Sequence, residues 1–495
     1  MTQETRNLGD LLGRRRSSGE TAMVSVDRNG QCREWSCSEL ESGSLAYAAF
    51  LREKGIAPGS AVAILAANSV HNWMAYTGSM RAGCVCVPVN TRQPREIVEF
   101  ILEDADVRFA FSDESNAAVV PEGIDHAILG DVPLIDDEPQ LPDVNEKSAA
   151  EILYTSGSTG RPKGVILSHA SQLSMIETIV GSTDTEVFAN QRGIVVAPMF
   201  HMNALIFIAS FLSSGGSLVL MSRFDAERFV QAINAHRVTV ITGVPTMIAL
   251  MHTAWLELGG PKLPSVNTVY IGSAPVTEAV AAQSSEMMPG ANILNSYGTT
   301  ETGGGIFGSH PDNIEKPATS VGYPTPQAEL RLDGNGALVV RAPSMMTEYR
   351  NLPELTAAKL KDGWFNTGDM FEVDDNGFYY FTGRSDDMFV CSGENVYPGE
   401  VEKAIESHRS VLQAAVVPVP DEIRGQMPVA FVVSRDKSLG EPDIQDHVRR
   451  HVAAYLYPRR VWFVDSLPLA GTTKVDRREL MRQAEESIMR VREVA

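Results

Sequence analysis

Tyr154-Thr155-Ser156-Gly157-Ser158-Thr159-Gly160-Arg161-Pro162-Lys163-Gly164 interrupts an otherwise ordinary α/β sequence with a run of hydroxyl residues and glycines. Such a run exposes backbone N–H and side-chain O–H groups to one concave space, and Lys163 adds a mobile cation, so the segment can cradle a polyphosphate. It is not a P-loop, which needs Gly, Lys and then Ser or Thr in succession; here Pro162 precedes the lysine and Gly164 follows it. An apolar strand precedes the segment and Val165 to Leu167 reads as another, a setting that a flexible Ser/Gly linker seldom occupies.

Outward from this loop, short β-branched runs alternate with helical-period segments, the pattern of an α/β layered sheet. Strands are expected at Val62 to Ala66, Val85 to Val89, Val107 to Phe111, Ile194 to Ala197 and Val238 to Ile241. Helices are expected at Trp73 to Arg81, around Ile97 to Leu102 and at Ala226 to His236. Val132 to Ser148 is rich in Pro, Asp and Glu and reads as a solvated linker or loop, easily mistaken for a domain boundary. From Gly336 to Gly383 the texture changes to turn-broken strands, clearest at Ala337 to Arg341 and Phe378 to Phe381, with Asp333-Gly334 and Asn376-Gly377 as turns. Past Arg384 comes an α+β segment: a helix with Val401, Ala404 and Ile405 on one face, strands at Ala414 to Val419 and Val429 to Val433, and helices around His447 to Tyr455.

The 495 residues carry 42 Lys plus Arg against 62 Asp plus Glu, a formal charge of −20, with 43% hydrophobic and 21% charged residues. That is too apolar for a disordered chain and long enough for two to four domains. The acidic balance argues against nucleic-acid or anionic-membrane partners. Any anionic ligand must be held by local groups. Five scattered cysteines lack the spacing of a zinc site and fit a reducing, cytoplasmic setting. The start carries no signal-peptide pattern, and Ala204 to Leu212, the most apolar run, is about half the length of a membrane span.

Further segments carry chemistry. In Asn295-Ser296-Tyr297-Gly298-Thr299-Thr300-Glu301, the tyrosine offers an aromatic face to a purine, the threonines offer hydroxyls to a phosphate, and Glu301 offers a hard oxygen to Mg²⁺. Gly303, Gly305 and Gly308 satisfy GxGxxG literally, but without strand-turn-helix context a dinucleotide site is rejected. Asp369, in Thr367-Gly368-Asp369, suits the vicinal hydroxyls of a ribose. Arg384 is its natural companion, since a guanidinium donates several bonds from one position.

From the loop at Thr155 to Gly164 onward, the chain resembles the adenylate-forming superfamily, which includes AMP-forming acyl-CoA synthetases, luciferases and peptide-synthetase adenylation domains. Similar blocks follow in order at Pro198 to His201, Gly272-Ser273-Ala274-Pro275, Asn295 to Thr302, Trp364 to Asp369, Gly383 to Glu402 and Leu467 to Leu480. The resemblance implies a large N-terminal domain of layered αβ sheets at 1–384, with a β-rich subdomain at about 320–383, and a small mobile α+β lid at 385–495. It places Phe381 beside the nucleotide and makes Lys474 the catalytic lysine, although Thr473 stands where the family usually has Gly. A cation is needed there because a carboxylate must attack an anionic α-phosphorus.

The implied reaction uses ATP, Mg²⁺ and coenzyme A: an acid becomes an acyl-adenylate with release of pyrophosphate, and a thiol then displaces AMP. Asp386 is the expected hinge and Gly393 the expected lining of the thiol channel. The acyl pocket is expected at His201, Met202, Asn203, Ser296, Gly298, Gly303 and Gly304, with His201 either closing over the adenylate as a catalytic residue or purely structural; small residues at Ser296 and Gly303 to Gly305 leave volume for a medium to bulky apolar acid, cyclic, aromatic or fatty. Amino-acid-activating relatives place an Asp in the region after His201, and Met202, Asn203, Ala204 and Leu205 offer none here, which disfavours an amino acid. A stand-alone ligase loading an acyl carrier protein is the runner-up. A luciferase-like oxygenase and an idle nucleotide-binding regulator are the remaining alternatives. A monomer or homodimer is expected.

Overall fold

The computed structural model describes residues 6–133, 139–155, 161–181, 190–272, 276, 278–392, 394–421, 423–452, 456–469 and 475–494. The uninterrupted apolar runs of the first half become parallel strands buried on both faces, as their lack of alternation requires. Ala61–Leu65 and Val85–Pro88 are buried at every position. They lie in a seven-stranded sheet whose spatial order is Glu348–Tyr349, Lys163–Ser168, Ala149–Thr155, Val85–Pro88, Ala61–Leu65, Val107–Ser112 and Asp125–Ile128. Strands Asp125–Ile128 and Ala149–Thr155 share this sheet, so no domain boundary falls between them.

A second seven-stranded sheet runs in the order Asn292–Asn295, Thr268–Ile271, Val240–Gly243, Arg192–Val195, Ser217–Met221, Thr21–Val26 and Cys32–Ser36, parallel except at its last pair. Two of its strands sit two residues from their expected positions. Arg192–Val195 begins early because Gly193 admits the rings of Phe207 and Phe211; a Cβ there would lie 2.7 Å from Phe207 Cε1. It ends early because the Asn68 amide donates to Ala197 O at 2.9 Å and takes that carbonyl out of the ladder. Val240–Gly243 pairs with the early strand through Val240↔Gly193 and Ile241↔Ile194.

An antiparallel sheet of Glu329–Leu332, Ala337–Arg341, Leu360–Lys361, Trp364–Val373 and Tyr379–Arg384 forms the β-rich region. The smaller C-terminal domain is built on a five-stranded sheet with Val411–Asp421 and Gly425–Ser434 at its centre. The Pro398–Glu406 helix buries Pro398, Val401, Ala404 and Ile405 against it, the face expected from the sequence. The next helix spans Glu441–Arg449, earlier than expected, because the Asp443 carboxylate accepts from Gly440 N at 2.9 Å and fixes the start there; Tyr455 lies outside the described residues. Mixed α/β layers with a large N-terminal and a small C-terminal domain result. Gln413 of the small domain donates to Thr246 Oγ1 of the large one at 3.2 Å. No helix among the described residues is long and apolar enough to cross a membrane.

Candidate active site

The carboxyl ends of the large domain's strands and the inner face of the small domain enclose a cleft of about 3060 Å³. Its first wall is the loop leaving strand Asn292–Asn295. Gly298 permits that loop's tight course, since a Cβ would stand 2.7 Å from Gly303 O. Thr299 and Thr302 close it, with Thr299 N donating to Thr302 Oγ1 at 3.1 Å and the two hydroxyls 3.2 Å apart. Of the two threonines expected to offer hydroxyls to phosphate, Thr299 therefore shapes the loop and Thr300 lines the cleft without that tie. Asn295 also turns its amide away, donating to Thr319 O at 2.9 Å, while its carbonyl accepts from Lys316 at 2.8 Å. Burial lowers the Lys316 ammonium to a pKa of about 8.

Tyr297 stacks edgewise on Phe371 with centroids 4.9 Å apart and lies 6.4 Å from Phe381, so three rings, one from the loop and one from each of strands Trp364–Val373 and Tyr379–Arg384, form one aromatic wall. Burial, with Asp369's charge second, pushes the Tyr297 hydroxyl well above its ordinary pKa and keeps its proton in place. It donates that proton to Asp369 Oδ2 at 2.5 Å. Arg384 Nε is 3.4 Å from Asp369 Oδ1, and the same guanidinium lies 3.8 Å from Asp386. The expected ribose anchor, its arginine companion and the expected hinge thus form one chain of charges.

Glu301 is positioned by a residue no local motif announces. Tyr349, from the edge strand Glu348–Tyr349, donates its hydroxyl to Glu301 Oε1 at 2.9 Å, 48 positions along the chain. Lys163 sits at the start of strand Lys163–Ser168 with its ammonium 5.0 Å over the Tyr349 ring, so it is a strand residue on an aromatic face and not the mobile loop cation expected. Thr155 Oγ1 is buried and makes no hydrogen bond to a described residue, an orphan that fits an incoming phosphate oxygen. Among the described residues no cluster of three or more His, Cys, Asp or Glu could cage a metal. One carboxylate with substrate phosphates is how Mg²⁺ is commonly held, and Glu301 fits that role.

His201 precedes the Met202–Ser213 helix with its ring 4.5 Å from Phe200. Asn68 fixes the approach to it by also accepting from Met199 N at 2.9 Å. Met202, Asn203, Ser296 and Gly304 line the cleft beside it, and Thr242 holds Asn203 at 3.2 Å. The expectation that Gly303 to Gly305 leave volume for the acid is corrected. A Cβ on Gly303 would meet Ser344 at 2.9 Å, one on Gly304 would meet Met175 Cε at 2.8 Å, and one on Gly305 would meet Ile179 at 3.2 Å, so other side chains already fill these places. Gly303 does not line the cleft. Gly272 lines it and admits Ser296, whose Oγ would be 2.5 Å from its Cβ. Ser156 to Gly160, Ser273, Ala274, Pro275, Gly393 and Lys474 lie outside the described residues. The rejected GxGxxG stretch has no helix after it; Phe307–Gly308 is a short strand.

Fold and site together define an adenylate-forming enzyme. The model of the AMP-binding enzyme family matches residues 13–350, and that of the AMP-binding enzyme C-terminal domain matches 400–474. The chain belongs to this family and is an AMP-forming acid–thiol ligase of the acyl-CoA synthetase class. It is 32% identical over 452 residues to a feruloyl-CoA synthase of an Amycolatopsis species, covering 88% of this chain and 90% of that protein. It is also 32% identical over 470 residues to the fatty acid–[acyl-carrier-protein] ligase ScoC of Streptomyces coeruleorubidus, 89% of each. The Bacillus subtilis o-succinylbenzoate CoA synthetase, solved with its acyl-adenylate intermediate, superposes with a TM-score of 0.82 at 25% identity, covering 95% of this chain and 97% of that one.

Proposed function

We propose that the chain activates a medium to bulky apolar carboxylic acid, aromatic, cyclic or fatty, and that the residues gathered in the cleft divide the work as follows. Tyr297 and Phe381 hold the adenine, and Asp369 with Arg384 holds the ribose. The segment from Thr155, Lys163 and Thr300 hold the phosphates. Glu301 holds Mg²⁺, which when bound offsets phosphate charge. The acid's carboxylate oxygen attacks the α-phosphorus in line and the bond to the pyrophosphate oxygen breaks; Lys474 aligns the two anions and offsets the charge that develops. In the second half-reaction the thiol sulfur attacks the acyl carbonyl and AMP leaves.

The reading rests on one observation. Leu469 and Val475, bridged to each other and standing on either side of the lysine segment, line the cleft that Thr300, Glu301 and Asp369 also line. Both half-reactions then share one site, so the small domain (385–495) turns against the large one (1–384) about Asp386 and brings Gly393 to the thiol channel. A pyrophosphate-release screen across carboxylic acids, with and without CoA, tests this. Release that depends on an apolar acid is expected, falling by about two to three orders of magnitude in Lys474→Ala; an undiminished rate in that variant overturns the assignment. The similarity to a carrier-protein ligase supports a second reading, in which the acceptor is a phosphopantetheinyl protein. Thioester formation on such a protein but not on free CoA would select it.

A further inference from the structure

The Met202–Ser213 helix points from the candidate site into the interior, and its cleft face is apolar at Ile206, Phe207 and Phe211. Met175 and Ile179 line the same cleft from helix His169–Gly181. Ser210 breaks this surface. It shares the face by helical spacing, lines the cleft and is 2% exposed, and its Oγ makes no hydrogen bond to any described residue. The contrast with neighbouring serines is informative: Ser213 Oγ donates to Ser210 O at 3.2 Å and Ser214 Oγ to the same carbonyl at 2.5 Å. A buried hydroxyl without a partner is costly, and cavity-lining apolar side chains would pack better there.

We propose that Ser210 is the polar end of the acyl pocket and that the cognate acid carries a hydrogen-bonding oxygen, a ketone or hydroxyl, at the end of its apolar body remote from the carboxylate. This rests on the ligase reading and narrows its substrate. Nine residues separate His201 from Ser210, which at the rise of an α-helix is about 13 Å. The body between the two polar ends is therefore a medium chain or more than one ring. A purely hydrocarbon acid would leave the hydroxyl unpartnered when the pocket is filled.

Matched acids read the proposal directly: decanoate against 10-hydroxydecanoate and 9-oxodecanoate, and biphenyl-4-carboxylate against its 4′-hydroxy counterpart. Their binding to the whole protein is measured by calorimetry, and their kcat/KM by pyrophosphate release. The oxygenated member of the best-bound pair is expected to be favoured by about tenfold, and Ser210→Ala to bring that ratio close to one. Ser210→Val, which fills the same space with methyl groups, is expected to reverse it. Equal binding within every pair, or a preference that survives in Ser210→Ala, overturns the subsite. The two readouts separate its failure from that of the ligase reading: with no pyrophosphate released from any acid the ligase reading fails, while the calorimetric ratios still decide Ser210.

Discussion

Glu301 enters the cleft with one carboxylate oxygen already bound to the Tyr349 hydroxyl, and the ring carrying that hydroxyl supports Lys163. One side chain thereby orients the carboxylate proposed to hold Mg²⁺ and the ammonium proposed to meet phosphate. Tyr349→Phe separates the two tasks, since the ring stays and only the hydroxyl goes. Hydrogen bonds to charged groups contribute about 1.5–3 kcal/mol, so the Mg²⁺ concentration giving half-maximal pyrophosphate release should rise about tenfold or more, with a smaller change in the KM for the acid. An equal rise in both would show a general loosening instead. Glu301, Thr300 and Asp369, which line one cleft, were legible in the sequence as candidates because each stands in a short motif. Tyr349 was not, because its partner lies 48 residues away and only the pairing of Tyr349 with Val165 in an edge strand brings it near.

At the scale of elements, the expected lysine segment is flanked by a charged clamp. Arg477, at the start of helix Arg477–Val494, donates to both carboxylate oxygens of Glu402 at 2.6 and 2.9 Å and to Val416 O at 2.7 Å, tying together two helices and a strand. Arg477→Ala would leave the half-buried Glu402 without its counterion; with the arginine side chain 31% exposed, a loss of about 2 kcal/mol is expected, below that of a fully buried pair. Denaturant unfolding of the variant measures it, and adenylation should fall further than stability accounts for because the clamp stands three residues from Lys474. Asp386 lies in the single turn Ser385–Asp387 between the two domains' sheets. Asp386→Pro, which fixes φ and removes a donor, should leave adenylate formation nearly intact and slow thioester formation at least about tenfold. Equal loss of both, measured by separate pyrophosphate and thioester assays, would count against a hinge there.

Across the whole molecule, Glu151 is the clearest unbalanced charge. It sits inside the first sheet at 1% exposure, with the Tyr76 hydroxyl donating to it at 2.9 Å, and burial raises its pKa from the usual 4.5 to about 7. Glu406, half-buried at the end of the Pro398–Glu406 helix, is raised likewise to about 8, desolvation being the main cause. A raised acid holds its proton in the fold after the unfolded chain has lost it, so stability falls as pH climbs from about 4.5 towards about 7 and 8 respectively, and then levels. Glu151→Gln should remove its share of that slope, worth about 3 kcal/mol, raising the melting temperature near pH 8 and changing little near pH 5. A variant that melts below the wild type at both pH values would refute this. The sequence by itself determined the layered α/β architecture, the order of the strands' apolar runs and the short motifs of the nucleotide site, because hydrophobic period and turn chemistry act between near neighbours. Only the tertiary structure decided which glycines are backfilled, which hydroxyls close a loop, and which, like that of the cleft-lining Ser210, stay unpartnered among the described residues, because each depends on side chains that long-range packing alone brings into contact.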